Sequence, residues 1–376
     1  MDRGSTDPGH DRPHATHRPA ASTAVTAAAA GPARGEDGPA AATVAILLAS
    51  FNGARYLPRQ LDSIAAQDWP AWRLVVSDDG STDATRDVVR DFAKAHPGRC
   101  IELIEGPRRG ATQNFLSLIA QVRPGEWLAF CDQDDAWLPH RLSRGMQAIG
   151  GCPAGAGENG DGPRDARDGG ERVAAGPAAT SSRTIICDDD LRPLTPAPLF
   201  RKPPSFRNAL VQACMPGNTF LANPAAAALL QQGAAAAARA GVVSHDWWAY
   251  QLLAGAGARL VRDPEPTVLY RQHRGNVMGR NDTLQARLRR VAMLGAGDFG
   301  GWVRDNVTAL QGARHLLTDV NGATLDGFEA ALRAPGPIAA TRLARLGMYR
   351  QTRAGTAALL AAAAAGRLRP IGPRKG

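Results

Sequence analysis

Three carboxylates, Asp132, Asp134 and Asp135, follow a short apolar segment (126–129) that reads as a strand. Like charges crowded at the mouth of a hydrophobic strand repel one another, and burying them is costly. A bound cation relieves that repulsion. An acidic cluster just outside the carboxyl edge of a strand is a plausible seat for a divalent ion holding a phosphate. The competing reading is a solvated acidic turn capping a helix that starts near Pro139. A second pair, Asp78 and Asp79, stands at the end of another apolar segment (72–77). Two acidic clusters in the same kind of place are harder to read as capping turns than one.

The elements that must position these groups alternate. A continuous apolar run (43–49) has the pattern of a central parallel strand, and a helix over about 54–67 follows, with Pro58 near its first turn. After the strand at 72–77 comes a helix through Val88, Val89 and Phe92, with Thr82 or Asp83 as its N-cap. A third strand (100–104), the loop 106–110 and a helix over 114–120 lead into the strand at 126–129. This β-α-β-α-β-α-β order predicts a mainly parallel sheet flanked by helices, with ligands at the carboxyl ends of its strands.

Farther along, 150–182 is rich in Gly, Ala, Asp and Arg and reads as a flexible insertion. Strands are predicted at 183–187, 259–261 and 267–270, a turn and short strand at 215–221, and helices over 224–240 and from about 243 to 253. Beyond residue 282 the pattern is helical only (283–294, 302–317, 325–332 and 338–365). The first 42 residues lack apolar periodicity and read as a disordered tail.

Composition limits the possibilities. A chain of 376 residues accommodates one large or two modest domains. No window supplies the roughly 18–20 uninterrupted apolar residues of a membrane span. No basic-then-apolar leader opens the chain, so the expectation is a cytoplasmic protein. Five scattered cysteines without a CxxC pair argue against a zinc site or a disulfide scaffold. The formal charge is +9, and arginine dominates from Arg280 onward. Such a basic region meets nucleic acid, an anionic membrane or a phosphorylated lipid, or is merely a solvated face. No nucleic-acid motif accompanies it, so no nucleic-acid partner is expected.

Four motifs in order, Leu48-Ala49-Ser50-Phe51-Asn52-Gly53, Ser77-Asp78-Asp79-Gly80-Ser81-Thr82-Asp83, Asp132-Gln133-Asp134-Asp135 and His245-Asp246-Trp247-Trp248, resemble those of family 2 glycosyltransferases. The resemblance covers about 44–276. It implies an α/β fold of the GT-A nucleotide-diphospho-sugar transferase type over 43–276, with a helical C-terminal region (277–376). The wording around Asp132, Asp246 and the Tyr270-Arg271-Gln272-His273 loop looks most like bacterial rhamnosyltransferases of cell-surface polysaccharide assembly.

By this resemblance, Asp134 is the metal-binding carboxylate, for Mg²⁺ or Mn²⁺, and Asp132 contacts the nucleotide side, as do Ala49 and Asp78. Asp135 stays open. Asp79 would accept from the N3–H of uracil or thymine, and Phe51 either stacks on the base or packs under its loop. Asp246 takes the place of the general base that a single inverting displacement needs, or else is only a helix cap. His245 would orient it. Gly217 and Asn218 would line the acceptor side. Trp247 and Trp248 form an apolar platform there or pack in the core. His273 is a third metal ligand or a pyrophosphate contact, and Arg271 offers fork-shaped hydrogen bonds to phosphate.

The activity so implied moves a sugar, L-rhamnose from dTDP-L-rhamnose or else a UDP-hexose, onto a glycan or lipid-linked acceptor, with the basic C-terminal helices resting on anionic membrane at its inner face. A non-catalytic sugar-nucleotide-binding subunit is the alternative from another class. A phosphate-handling hydrolase is disfavoured, because no aspartyl nucleophile motif with a distant Lys is present.

Overall fold

Val44–Ser50 forms the central strand, β1, and all seven residues are buried. Its side chains alternate between two cores: Ala45, Leu47 and Ala49 enter one, Val44, Ile46 and Leu48 the other. That is why the run is apolar throughout and not on every second residue. The computed structural model describes residues 42–150, 176–273 and 298–369.

Strands β2 (Trp72–Asp78), β3 (Ile101–Glu105) and β4 (Trp127–Cys131) extend a parallel sheet around β1. Helices α1 (Leu57–Ala65), α2 (Thr85–Ala95) and α3 (Ala111–Leu118) make the crossovers. A two-residue strand, β5 (Ala136–Trp137), and α4 (Arg141–Ala148) come next. Then follow β6 (Ala178–Cys187), β7 (Pro193–Pro196), α5 (Phe206–Ala209), β8 (Leu221–Ala222), α6 (Pro224–Ala240), α7 (His245–Gly255) and β9 (Arg259–Arg271). The sheet order is β3-β2-β1-β4-β8-β6-β9-β5, with β7 beside β6. Antiparallel pairing enters at β8, β5 and β7, so the sheet is mainly parallel but mixed.

Three expectations need correction. Residues 178–182, read as part of a flexible insertion, are buried strand; their small side chains suit a central position between β8 and β9. The strands expected at 259–261 and 267–270 are one strand, because register shifts in its pairing with β6 absorb Pro264 and Pro266. The single helix expected over 338–365 is two, α10 (Gly336–Arg345) and α11 (Arg353–Ala364). Gly347 adopts φ 69° after α10, and the Thr352 side chain caps α11.

The remaining C-terminal helices are α8 (Asp298–Gly312) and α9 (Asp319–Arg333). They do not form a separate core. Phe299, Val303, Val307 and Leu310 share one cluster with α6 and α7, and Phe299 stacks on Trp247 at 5.8 Å. The expectations for residues 1–41, most of the insertion (151–175), the helix at 283–294 and Arg274, Arg287, Arg289 and Arg290 lie outside the described residues.

Candidate active site

Register brings the acidic groups to one edge. Ser50 pairs with Asp78 at the carboxyl ends of β1 and β2, and Leu48 pairs with Cys131 at the end of β4. The loop after β4 carries Asp132, Asp134 and Asp135, and β9 ends beside it, where Ala136 pairs with Leu269.

Each carboxylate there has its own circumstances. Burial raises the Asp132 carboxyl to about 7, and repulsion from Asp134 and then Asp246 adds to the shift. The turn at 217–218 links Asp246 to this loop, because the Gly217 N–H donates to Asp246 and Asn218 Nδ2 donates to Asp135. Oδ2 of Asp134 lies 2.7 Å from Nε2 of His273, so two candidate ligands 139 residues apart in sequence meet in space.

Asp135, left open by sequence, is fully buried: it accepts from Asn218 Nδ2 at 2.7 Å and from the Arg271 N–H at 3.1 Å. Burial, with repulsion from Asp134 and Asp132, pushes its pKa well up. It ties the acidic loop to its neighbours.

Several expected contacts are turned inward. Asp78 is buried and accepts from Ser50 and Ser81 hydroxyls, the Ser81 N–H and Arg86 Nε at 2.7 Å. Burial alone would raise its pKa, but the hydrogen bonds from Ser81 and Arg86 outweigh that and hold it below the usual range. Its part is to shape the turn, where a nucleotide contact was expected. Asp79 accepts from the Arg108 N–H (2.6 Å) and the Gly110 N–H (2.7 Å), fixing the loop between β3 and α3; a base N–H would have to use a remaining lone pair.

Arg271 donates from Nε to the Asp134 carbonyl at 2.7 Å and from Nη1 to the Asp189 carbonyl, so it holds the loop. Asn218, expected to line the acceptor side, donates from Nδ2 to Asp135. Trp247 and Trp248 are core residues: Trp248 is fully buried, and Trp247 Nε1 donates to the Ala209 carbonyl at 2.7 Å. Their place on the inner faces of α7 rules out a sugar platform. Ala49 is buried opposite Ser77, one residue short of the end of β1.

Phe51 is 54% exposed, so the packed-under-loop reading fails and its ring stands open for stacking. The N-cap of α7 is Ser244, whose side chain accepts from the Trp247 N–H. Asp246 is thus inside the first turn and is not the cap. It accepts from the Gly217 N–H at 2.9 Å through Oδ2, and from its own Trp247 N–H at 2.7 Å and the Ser244 hydroxyl through Oδ1. His245 stacks on Phe115 with ring centroids 3.9 Å apart and meets Phe130 edge-on at 4.7 Å. Burial lowers its pKa to about 4, so the ring is neutral and is no base partner in the charged form.

Sequence reasoning missed four contributors. Gln133 binds the backbone of Phe51 through both its amide atoms. Tyr56 packs against His273 at 4.6 Å and donates to Asp189 at 2.7 Å. Arg141 lies buried beneath the acidic loop, donating to the carbonyls of Phe130, Asn218 and Phe220, and burial lowers its pKa to about 9. Ser244 steadies Asp246. Of these only Gln133, inside the acidic motif, carried any sequence signal.

Among the described residues, no group of three or more His, Cys, Asp or Glu forms a cage for a metal ion. The Asp134–His273 pair still fits an ion that takes most of its ligands from a bound diphosphate and water, because carboxylate oxygen and imidazole nitrogen are both acceptable donors.

The strand order, with acidic groups gathered at the carboxyl edge, defines the GT-A class of nucleotide-diphospho-sugar transferase folds. Residues 45–157 match the sequence model described as "Glycosyl transferase family 2". An uncharacterized glycosyltransferase of Nostoc sp. is 37% identical over 101 residues, 27% of this chain and 31% of that protein. The dTDP-rhamnosyl transferase RfbG of Shigella flexneri is 24% identical over 287 residues, 75% of this chain and 89% of RfbG. The UDP-Glc:alpha-D-GlcNAc-diphosphoundecaprenol beta-1,3-glucosyltransferase WfgD of Escherichia coli is 27% identical over 99 residues, 26% of this chain and 38% of WfgD. Among solved structures, S. aureus TarS 1-349 in complex with UDP-GlcNAc gives a TM-score of 0.48 at 14% identity, covering 87% of this chain and 88% of that one. Residues 45–157 thus carry a family 2 glycosyltransferase domain.

Proposed function

We propose that the protein is an inverting glycosyltransferase that uses Asp246 as general base in the synthesis of a surface polysaccharide. The observation that carries this reading is that one turn joins Asp246 to the acidic loop: the Gly217 N–H donates to Asp246 Oδ2 at 2.9 Å, and the next residue, Asn218, donates from Nδ2 to Asp135 at 2.7 Å. In a single displacement, Asp246 takes the proton of an acceptor hydroxyl. That oxygen then bonds to the anomeric carbon as the bond from carbon to the diphosphate oxygen breaks, and the nucleoside diphosphate leaves. Attack from the face opposite the leaving group inverts the configuration.

Asp134 and His273 would hold a divalent cation, Mg²⁺ or Mn²⁺, which when bound neutralises the diphosphate of donor and leaving group. Asp132 faces the nucleotide side, and the exposed Phe51 ring stacks on the base. Arg271 and Asp135 keep the loop in place, so the carboxylates need not reorganise when the donor arrives.

L-Rhamnose from dTDP-L-rhamnose is the proposed donor sugar, supported by the likeness to RfbG along most of the chain. A UDP-hexose is the competing donor, favoured by the shorter likeness to WfgD. The proposed acceptor is a glycan or lipid-linked saccharide at the cytoplasmic face of the membrane. No helix among the described residues is long and apolar enough to cross a membrane. Helix α10 exposes Ile338 with Arg342 and Arg345 at helical spacing, a face suited to anionic lipid.

The deciding measurement is the melting temperature with Mn²⁺ and each of dTDP-rhamnose, UDP-glucose, UDP-galactose and UDP-GlcNAc. One donor raises it, Asp134→Ala abolishes the metal-dependent part, and Asp246→Asn keeps the shift while losing transfer. Transfer by Asp246→Asn at the normal rate would overturn the base assignment.

A further inference from the structure

Gly217 opens a short 3-10 turn (Gly217–Thr219), and the N–H groups that begin such a turn have no partner within it. The Gly217 N–H is satisfied instead by Oδ2 of Asp246 at 2.9 Å, across 29 residues of sequence. A Cβ at position 217 would stand 2.8 Å from His245 Nε2 and 3.3 Å from the Asp246 Cβ. Its φ is not in the left-handed region, so space and not backbone conformation is what excludes a side chain. The imidazole that fills this space is itself pinned between Phe115 and Phe130, and its Nε2 is buried with no hydrogen-bond partner. It cannot swing aside without losing both aromatic contacts.

From this close approach we infer that Gly217 is a positioning residue for the base: its N–H fixes the direction of the Asp246 carboxylate, and only glycine lets the turn approach closely enough to do so. The inference rests on the reading of Asp246 as base. A carboxylate held by one N–H on Oδ2 and by its own helix on Oδ1 keeps a single rotamer, so its remaining lone pairs are aimed before the acceptor arrives. His245 acts as the wedge that sets the spacing. The titratable groups facing Asp246 are His245 and Asp132.

The experiment compares wild type, Gly217→Ala, His245→Ala, the double variant and Asp246→Asn with whichever donor of the four-sugar panel raises the melting temperature. The reaction followed is release of nucleoside diphosphate, with water as acceptor. Gly217→Ala should lower kcat at least tenfold with the donor KM within about twofold, and should move the acidic limb of the pH–rate profile upward. The double variant, with the wedge removed, should recover part of that loss relative to Gly217→Ala. Wild-type kcat and pH profile in Gly217→Ala overturn the inference, and so does a double variant no better than Gly217→Ala. In the ligand-free protein labelled with ¹⁵N-glycine, the Gly217 amide should shift as a carboxylate titrates, and the shift should vanish in Asp246→Asn. This readout needs no donor and holds even if Gly217→Ala does not fold; an amide unaffected by Asp246→Asn sinks the inference. If Asp246→Asn turns over normally, the base reading has failed; if it is dead while Gly217→Ala is normal, only the positioning role has failed.

Discussion

Gln133 grips the backbone of Phe51 with both ends of its amide. Its Oε1 accepts the Phe51 N–H at 2.9 Å, and its Nε2 donates to the Phe51 carbonyl at 3.1 Å. A loop after β4 thereby fixes the loop after β1, and it sets how an exposed aromatic ring is presented. Gly53 leaves room for this grip, because a Cβ there would fall 2.1 Å from Gln133 Oε1 and push the amide away. Gln133→Ala should weaken donor binding about 3- to 10-fold, since two hydrogen bonds of about 1 kcal/mol each only position the ring. Isothermal titration with the nucleoside diphosphate reads this; unchanged affinity would mean that the grip is irrelevant to the nucleotide.

Phe51 and Trp248 separate contact from core. Phe51→Ala should leave the melting temperature within a degree or two and cost about 1–3 kcal/mol of nucleotide affinity, the size of one base–aromatic stack. Trp248→Ala should lower stability by about 3–5 kcal/mol, because it opens a cavity where the ring now packs against Gly233. Chemical denaturation of both variants distinguishes the two roles.

Arg73, on β2, is buried and bound bidentately to Glu126 at 2.7 and 2.8 Å. Removing Glu126 leaves the buried Arg73 guanidinium with only Glu102, at 3.3 Å, and the Gln121 carbonyl, at a cost of up to about 3 kcal/mol. Glu126→Ala should therefore show a lower urea midpoint. The residual folded protein should still bind donor, because the pair sits at the opposite end of the strands from the acidic loop.

Two groups oppose each other in the pH dependence. The His245 pKa is depressed to about 4 in the fold, so the unfolded chain takes up its proton first and stability falls as pH drops from about 6.5 to 4. The Asp132 pKa is raised to about 7, so the folded chain takes up that proton first and stability rises as pH drops from about 7 to 4. In wild type the two contributions partly offset. Asp132→Asn in EDTA should melt higher than wild type at pH 8, lose that advantage as pH falls, and decline more steeply between pH 7 and 4. Parallel melting curves for the two proteins across that range would show that Asp132 is not crowded.

The sequence was sufficient for whatever depends on neighbours along the chain. Apolar runs and turn residues placed β1 to β4 and their crossovers, because a strand buried on both faces must be apolar throughout. The carboxylates at strand ends follow from that order, and the motif resemblance points to both Asp134 and His273, which meet at 2.7 Å. Tertiary structure alone decided what each group faces. Asp78 and Asp79 are adjacent, yet one shapes its own turn and the other holds a loop about thirty residues away. Asp135 proved to be an internal tie and Trp247 and Trp248 core, since burial depends on which elements pack across the sheet. Gly217 meets Asp246 only because the turn before β8 and the first turn of α7 come together. Residue type tells what chemistry a side chain can do; whether its lone pairs point at a ligand or at the protein's own N–H groups is settled by contacts between residues far apart in sequence.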